Sequence, residues 1–596
     1  MLLGAIDWII IAIFFVIILI IGLSVSKRAG RSFSDFFLSG RNMPWWLLGV
    51  SMVATTFSTD TPNLVTDMVR THGVSGNWLW WAFLLTGMLT VFVYAKLWRR
   101  SNMGTDIEFY EIRYSGKSAA FLRGFRALYL GIFFNIMIMA AVSLAAIKIG
   151  GVLLNLSPLK TIVVALLVTV IYVGAGGLRS VLFTDFFLFS MAMFGAITAA
   201  VVACRLPEVH GLTGLFTHPN VVGSLSLLPD FSDSKTLIPL LIIPLAVQWW
   251  SVWYPGAEPG GGGYMVQRML SAKDEKNAMG ATLFFNFAHY ALRPWPWIIV
   301  ALASLIIFPD LNALRHAFPN VDPNIMRNDL AYPAMLTFLP HGLLGVVVAS
   351  LFAAYMSTMA SHLNWGSSYI VNDFYKRFMK PDAPQKELVL VGRISTVVLI
   401  ALAGAIALLL SNALQAFHIL LQIGAGTGLI FILRWFWWRI NAFTELAGMI
   451  VSFIVAFYLE IVHTKLGFAS VPAYESLLIG VGITTVAWLA ITFLTKPTDD
   501  ETLRKFYQLV RPGGIGWNKF LARLEKDGNP ITEKATRGDL PLGILCMIAG
   551  VFAVYGTVFA SGYYLYGKWI PAIIATLIAG LSTVFLIKKW GNLEME

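Results

Sequence analysis

The stretch SMVATTFSTDTPN, residues 51–63, interrupts a run of tryptophan, leucine, valine and phenylalanine that otherwise resembles a membrane span. It places two serines, four threonines, an aspartate and a proline where a bilayer core offers no water to hydrogen-bond them. Each polar group, and each backbone group freed by Pro62, must therefore find a partner inside the protein. The stretch predicts a broken membrane helix with a binding site at the break.

The composition indicates a membrane protein that crosses the bilayer many times. Of 596 residues, 57% are hydrophobic and 13% are charged, and the mean hydropathy is +0.73, whereas soluble domains carry about 25% charged residues. A span needs about 20 apolar residues to cross about 30 Å of hydrocarbon. Fifteen such spans are predicted, at 5–26, 44–66, 76–98, 122–150, 158–176, 179–204, 236–255, 276–308, 335–375, 391–411, 414–437, 442–463, 474–495, 540–561 and 567–588.

The positive charges test this count, because one missed span would invert every later loop. With Met1 outside, 33 of the 43 lysines and arginines lie in segments that become cytoplasmic, among them Arg268 after the span at 236–255. The bias predicts a multi-pass protein of the plasma (inner) membrane with an outside N-terminus and a cytoplasmic C-terminus. The net charge of +11 then reflects loops beside anionic lipid and no nucleic-acid surface.

The start of the chain argues against a cleaved signal peptide, and the two cysteines argue against disulfide and thiolate metal sites. The first ten residues lack a basic region and a small-residue cleavage site, so the first span is predicted to be retained. The two cysteines, Cys204 and Cys546, both fall in predicted spans, which excludes a disulfide framework or a thiolate metal site.

A second span is interrupted like the first. The run PLLIIPLAVQWWSVWYPGAEPGGGG, residues 239–263, contains several prolines and four consecutive glycines. Each break opens a block of five predicted spans, 44–204 and 236–437, and an odd number of spans gives the two blocks opposite orientations. A single break is explained by packing alone, but paired breaks in matching halves are typical of an inverted-repeat secondary transporter, with its site where the breaks meet.

The remaining segments flank this ten-span core. We predict a leading helix and cytoplasmic loop at 1–43, an extracellular loop at 205–235, accessory helices at 438–495, a polar cytoplasmic loop at 496–539 and two C-terminal helices at 540–596. Within the polar loop, the sequence LRKFYQLV favours an amphipathic surface helix.

Five motifs carry a resemblance to a known family. They are SDFFLSGRNMPWW at 34–46, TDIEFYEIRY at 105–114, GGLRSVLFTDFF at 176–187, YMVQRMLSAKD at 264–274 and AAYMSTMASHLNWGSSYIVNDFYKR at 353–377. In this order they resemble the sodium/solute symporter family, which includes sodium-coupled sugar-type and proline-type symporters. The resemblance implies an all-α polytopic membrane protein with a LeuT-type 5+5 inverted repeat, one leading and about four trailing transmembrane helices.

The resemblance also implies a sodium site. Sodium prefers oxygen ligands, and an unwound helix that faces hydroxyls one turn apart supplies them. Ala354, Ser357 and Thr358 stand at i, i+3 and i+4 and share one face of their helix. In the family these positions bind sodium together with the carbonyls that correspond to Ala54 and Phe57.

Asp185 and Ser361 are a possible ion path beside this site. A carboxylate among apolar residues of a membrane span is a functional candidate by default, and in some family members this position helps to form a second sodium site. One hydroxyl of that second site is replaced here by Ala360, so we expect a single sodium. An ion pair between Asp185 and Arg179 is the structural alternative.

The solute should lie between the two breaks, against aromatic walls. The candidates are Thr56, Asp60, Thr61 and Asn63 on the first broken span, Gln248, Trp249, Trp250, Trp253, Tyr254 and Glu258 on the second, and Asn286, His289 and Arg293 on the span that follows. His289 and Arg293 favour an anionic solute, although a membrane histidine is more often an interior structural residue. Sugar and proline transporters of the family carry characteristic polar residues at certain positions of the site, and this chain has different residues at those positions.

We therefore expect a sodium-coupled symporter that imports a small organic solute, with a sugar or sugar-like solute favoured, by alternating access. An amino acid, carboxylate or nucleoside is the alternative solute. The expected partners are the solute, Na⁺ as coupling ion and the lipid bilayer, with no other cofactor. A membrane enzyme is disfavoured because the nine histidines are scattered. A transporter-like solute sensor, signalling through 496–539, is the alternative from another class.

Overall fold

The computed structural model describes residues 3–26, 38–173, 178–251, 258–410, 413–531 and 539–593. Throughout these ranges the regular elements are helical. The one isolated extended pairing among them is a bridge between Met43 and Ala272. The all-α architecture predicted from the sequence is therefore confirmed.

Ten helices within the described ranges are long and apolar enough to cross a membrane, and five shorter apolar helices accompany them. All of them lie at predicted spans. The leading helix is Ala5–Ser26, and the core helices are Trp45–Thr56 (1a), Asp60–His72 (1b), Val74–Ser101 (2), Gly116–Leu154 (3), Pro158–Val173 (4), Leu178–Cys204 (5), Ser234–Ala246 (6a), Gly263–Ser271 (6b), Glu275–Ile307 (7), Leu343–Met379 (8), Gln385–Ala407 (9) and Ala413–Phe436 (10). The accessory helices are Ala442–Lys465, Ala473–Leu494, Asp539–Leu565 and Trp569–Trp590.

Both predicted breaks are present, and each has a local cause. Helix 1a ends where Phe57 takes an extended conformation, with φ −93° and ψ 91°. In the second break, Gly260 and Gly261 have φ of +83° and +96°, a region that strongly favours glycine. Tyr94 and Met269 pack so closely against these two glycines that a side chain at either would collide with them.

The loops that the charge bias predicts to be cytoplasmic contact one another, and we call this side the inner side. Ser271 accepts the Met43 N–H at 3.1 Å. Arg100, at the end of helix 2, pairs with Glu275 at 3.0 Å and donates to the Val510 carbonyl at 3.2 Å. The predicted grouping of these loops on one side therefore agrees with their contacts.

The polar loop after the second accessory helix folds onto this inner side. It forms the helices Asp500–Val510 and Asn518–Lys526. The first is amphipathic as predicted, but its apolar face is covered by protein. Phe506 and Trp517 both pack against the guanidinium of Arg113, with ring centroids 5.3 Å from its central carbon.

The leading helix stabilises the start of helix 8 through one buried carboxylate. Asp7 accepts backbone N–H groups from Gly342 at 2.7 Å and Gly345 at 2.8 Å, as well as from Gly4 at 2.8 Å. His341 contacts the same carboxylate at 2.7 Å. A negative charge satisfies donors that a helix start leaves unpaired and complements the helix dipole.

Replacing Asp7 by alanine is expected to destabilise the protein, because it leaves three backbone donors without their acceptor at about 1–3 kcal/mol for each that stays buried and unpaired. The measurement is the melting temperature of the purified protein in detergent. Asp7→Asn keeps one acceptor oxygen and should lose less stability. Equal melting of D7A and the unaltered protein would contradict this role.

Candidate functional site

The break in helix 1 leaves two backbone carbonyls available to a cation. In a continuous helix, the N–H groups of Ser58 and Thr61 would bond the carbonyls of Ala54 and Phe57. Instead, Ser58 donates to the Thr61 hydroxyl at 3.4 Å, and Thr61 donates to the Ser58 carbonyl at 3.3 Å. The Ala54 carbonyl accepts the Phe57 N–H at 3.2 Å and keeps a second lone pair.

Helix 8 presents two hydroxyls to this break. Thr358 donates its hydroxyl proton to the Thr55 carbonyl at 2.8 Å, and Ser357 donates to the Asp185 carboxylate at 2.6 Å. A hydroxyl has one proton and two lone pairs, so each oxygen still has lone pairs for a cation. The residues predicted for sodium on helices 1 and 8, including Ala354 one turn before Thr358, therefore come from two segments in direct contact.

Asp185 joins three core helices beside these hydroxyls. It is fully buried on helix 5 and accepts hydrogen bonds from Ser51 of helix 1a at 2.5 Å and from Ser357 of helix 8. Its nearest cationic partner is Arg268, at 3.8 Å, and not Arg179. Asp185, a predicted ion-path residue, thus contacts Ser357, a predicted sodium ligand, through its carboxylate.

Arg268 is the residue of this region that the sequence interpretation missed. It was counted in a cytoplasmic segment, but the structure buries it completely in helix 6b. Its guanidinium donates to the hydroxyls of Ser361 at 2.8 Å, Ser51 at 3.1 Å and Thr55 at 3.2 Å. The available signal was an arginine five residues after a glycine-rich break, where the sequence alone does not distinguish a loop residue from a buried one.

Three predicted solute residues meet at the break in helix 1. Arg293 donates to the Thr56 hydroxyl at 3.1 Å and contacts His289 Nδ1 at 2.5 Å, and that nitrogen lies 3.3 Å from the same hydroxyl. Trp80 of helix 2 packs edge-on against His289 and stacks on Tyr290, with ring centroids 5.4 and 5.5 Å apart. The structure thus adds an aromatic wall beside His289 that the sequence analysis did not identify.

Helix 1b begins with polar groups whose bonding is incomplete. Asn63 is 1% exposed, and both polar atoms of its side-chain amide lack a hydrogen-bond partner within the described ranges, as does Asp60 Oδ1. Thr61 instead donates to the Thr56 carbonyl at 3.4 Å. Because buried polar atoms nearly always have partners, the unpaired ones indicate a place for a ligand or water.

The candidates on helix 6 lie at two different depths. Gln248 donates to the Leu79 carbonyl at 2.6 Å and lines a cavity of about 220 Å³ on the outer side, beside helix 1b and helix 10. Trp250 Nε1 and Ser251 Oγ are buried without a partner in the described part of the chain, and Trp249 packs edge-on against Trp250. Trp253 and Tyr254 lie outside the described residues.

Glu258 sits on the inner side, in a buried network of charges. It pairs with Arg126 of helix 3 and lies 3.6 Å from Arg434 of helix 10. Arg434 in turn lies 3.5 Å from Glu445, which also accepts the Tyr114 hydroxyl at 2.5 Å. These contacts join helices 3 and 10, the segment before helix 6b and the first accessory helix into one buried network of charges.

A second carboxylate fixes helix 6b from the loop between helices 2 and 3. Asp106 accepts the N–H of Gly263, the first residue of helix 6b, at 2.7 Å, and also the hydroxyl of Tyr369 from helix 8. Burial raises the pKa of the Asp106 carboxyl, although the bonds from Tyr369 and Gly263 act in the opposite direction. Helix 6b is therefore held at its start by the inner loop.

Residues 36–452 match the model of the Sodium:solute symporter family. The chain belongs to this family. The symporter is 26% identical to a sodium/glucose cotransporter of Vibrio parahaemolyticus over 84% of this chain and 92% of that protein. It is 26% identical to sodium/myo-inositol cotransporter 2 of Homo sapiens, over 77% of this chain and 70% of that protein. A sodium/mannose cotransporter of Bos taurus is 25% identical over 77% and 80% of the two chains.

The fold of the symporter is shared with a Na⁺-coupled sialic acid symporter solved in a substrate-bound outward-open state. The TM-score is 0.65 at 22% identity, over 83% of this chain and 99% of that one. The inverted repeat predicted from the paired breaks and the LeuT-type fold implied by the family resemblance are thereby confirmed. Family membership also settles the enzyme alternative, because the family consists of transporters and not enzymes.

Replacing Glu258 by glutamine is expected to lower the thermal stability of the symporter, because removing one partner of a buried ion pair costs about 3–5 kcal/mol. Hydrogen exchange at 106–114 and 263–271 should also rise, since the inner network holds these segments. Glu501→Gln is the matched control, because Glu501 forms an exposed pair with Lys505 at 2.5 Å. Equal effects of the two substitutions would contradict the view that the buried network holds these segments.

Proposed function

We propose that this symporter imports a sugar or sugar-like solute with sodium across the plasma (inner) membrane, with its N-terminus outside and its C-terminus in the cytoplasm. The observation that carries the solute class is the buried amide of Asn63, unpartnered at both polar atoms at the start of helix 1b. A polyol offers each hydroxyl as donor and acceptor and so satisfies both atoms. The relatives named for glucose, mannose and myo-inositol support the same class.

The geometry around Arg293 favours a neutral solute over an anion. Its guanidinium donates to Thr56 and to the Val53 carbonyl at 3.4 Å, and it contacts His289. A solute carboxylate would have to displace these partners. We assign Arg293 and His289 to positioning Thr56, and we assign Trp80 and Tyr290 to stacking against the apolar face of a sugar ring.

The other proposed solute residues form two groups. Asp60, Thr61 and Asn63 present polar groups from helix 1b, and Gln248, Trp249 and Trp250 form a second group at the other break. Trp253 and Tyr254 remain solute candidates from the sequence alone. We assign Glu258 to the inner gate, because its carboxylate is already paired with Arg126 and lies near Arg434.

The proposed sodium ligands are the carbonyls of Ala54, Phe57 and Ala354 and the hydroxyls of Ser357 and Thr358. One ion bound there joins helix 1 to helix 8 and fixes the break that carries the solute residues. Sodium thereby raises the affinity for the solute, and the solute raises the affinity for sodium by the same factor. A membrane potential of about 100 mV contributes about 2.3 kcal/mol for each sodium ion that enters. A tenfold sodium gradient contributes about 1.4 kcal/mol in addition.

Uptake into proteoliposomes with an inward sodium gradient tests the function. The panel of solutes contains several hexoses including mannose, together with myo-inositol, proline, a dicarboxylate and a nucleoside. Sodium-dependent uptake of a hexose or inositol is expected, with little uptake of the others. Uptake of a charged solute alone would overturn the sugar assignment, and sodium-dependent binding without flux of any solute would favour the sensor.

Ser357→Ala and Thr358→Ala are each expected to raise the sodium concentration for half-maximal uptake by about tenfold, which corresponds to about 1.4 kcal/mol for one lost ligand. The measurement is the sodium dependence of initial uptake. Ser368→Ala is the matched control, since the Ser368 hydroxyl donates to the Trp365 carbonyl of its own helix at 2.7 Å. Unchanged sodium activation in the double variant S357A/T358A would refute the site.

A further inference from the structure

The guanidinium of Arg268 lies one helical turn to the inner side of the proposed sodium ligands. Helix 1a starts at the inner side, and Ser51 precedes Ala54 by three residues. Helix 8 runs toward the inner side, and Ser361 follows Thr358 by three residues. One turn of helix is about 5.4 Å. The hydroxyls of Ser51 and Ser361 therefore lie in a second layer beneath the sodium layer, and the Thr55 hydroxyl joins them, because it donates to the Ser51 carbonyl at 2.9 Å and lies 2.9 Å from the Ser361 hydroxyl.

Asp185 connects the two layers. One carboxylate oxygen accepts the hydroxyl of Ser357, a proposed sodium ligand, and the other accepts the hydroxyl of Ser51, which itself accepts from Arg268 Nε. The same carboxylate lies 3.8 Å from the Arg268 guanidinium. A sodium ion that leaves its site toward the inner side meets this carboxylate next, and then meets the guanidinium.

We propose that Arg268 is the inner plug of the sodium path, a tethered cation that occupies the oxygens through which sodium must leave. This inference rests on the proposed sodium site. The guanidinium and a sodium ion compete for the hydroxyl oxygens of Ser51, Thr55 and Ser361, and two like charges repel strongly in a low-dielectric interior. Sodium therefore passes only after helix 6b has carried Arg268 away.

This arrangement couples ion release to the opening of the inner side. Arg268 is on helix 6b, whose first residue is held by Asp106 and whose preceding segment carries Glu258 in the inner gate. When that gate opens, helix 6b moves, Arg268 leaves the three hydroxyls, and Asp185 loses its cationic neighbour. The freed carboxylate and hydroxyls then form an oxygen set that suits a departing sodium ion. With the gate closed, the plug prevents sodium from crossing without solute.

The test is the efflux of radioactive sodium from proteoliposomes that contain no solute. Arg268→Gln is expected to raise this leak at least about tenfold, which corresponds to about 1.4 kcal/mol off the barrier. Arg268→Lys keeps the positive charge and should leak less than the glutamine variant. Arg439→Gln is the matched control, since Arg439 is an inner-side arginine that donates to the Thr495 carbonyl at 2.8 Å, away from the sodium path.

The single substitution leaves Asp185 buried without its cation, so folding is secured with a second variant. Asp185→Asn combined with Arg268→Gln removes both charges, and it is expected to leak more than the unaltered protein but less than Arg268→Gln, because the sodium path then lacks its carboxylate. Folding of each variant is checked by its melting temperature and by its elution as a monodisperse peak. Wild-type leak in the folded double variant, or equal leak in the lysine and glutamine variants, would overturn the plug. Sodium-dependent solute uptake by the unaltered protein tests the proposed function separately.

Discussion

The constraint on which this structure depends is that a bilayer core supplies no hydrogen-bond partner to a freed backbone group. Helix 1 is nevertheless broken between Thr56 and Asp60. The break is stable because the freed groups find partners inside the protein. The Thr61 hydroxyl accepts the Ser58 N–H, and the Thr358 hydroxyl of helix 8 donates to the Thr55 carbonyl. The carbonyls that remain only partly bonded are those that a cation suits.

Buried charges follow the same rule. Lys148 of helix 3 pairs with Asp329 at 2.5 Å on the outer side, and Arg126 pairs with Glu258 on the inner side. Between them, Asp185 and Arg268 share the Ser51 hydroxyl, one turn to the inner side of the break in helix 1. A buried pair contributes little net stability, but separating its members is costly. Any opening on one side must therefore exchange one set of partners for another, and the energy of that exchange is available for coupling to ion binding.

The unpaired polar atoms contrast with this general satisfaction of buried groups. The side-chain polar atoms of Asn63 and Ser251, one residue beside each break, lack hydrogen-bond partners within the described ranges. The side chains of the neighbouring Thr56 and Gln248 have such partners. The unpaired amide of Asn63 and the unpaired hydroxyl of Ser251 are neutral, whereas Asp60, also unpaired at Oδ1, adds a carboxylate to the proposed solute residues of helix 1b.

The sequence by itself determined the class, the number and places of the spans, the two breaks and the facing hydroxyls of Ser357 and Thr358. These features are local, because hydropathy, proline and glycine, and helical spacing act within a few residues of one another.

The tertiary structure alone decided which charges meet. Ser51 and Asp185 are 134 residues apart, Arg268 and Ser361 are 93 apart, and Arg126 and Glu258 are 132 apart. No local pattern determines such pairs, since a charge in a membrane protein is placed by whatever partner the folded chain brings to it. For that reason the sequence placed Arg268 in a loop, whereas the fold buried it beside the proposed sodium ligands, and no pattern in the sequence indicated that Glu258, a solute candidate, pairs with Arg126.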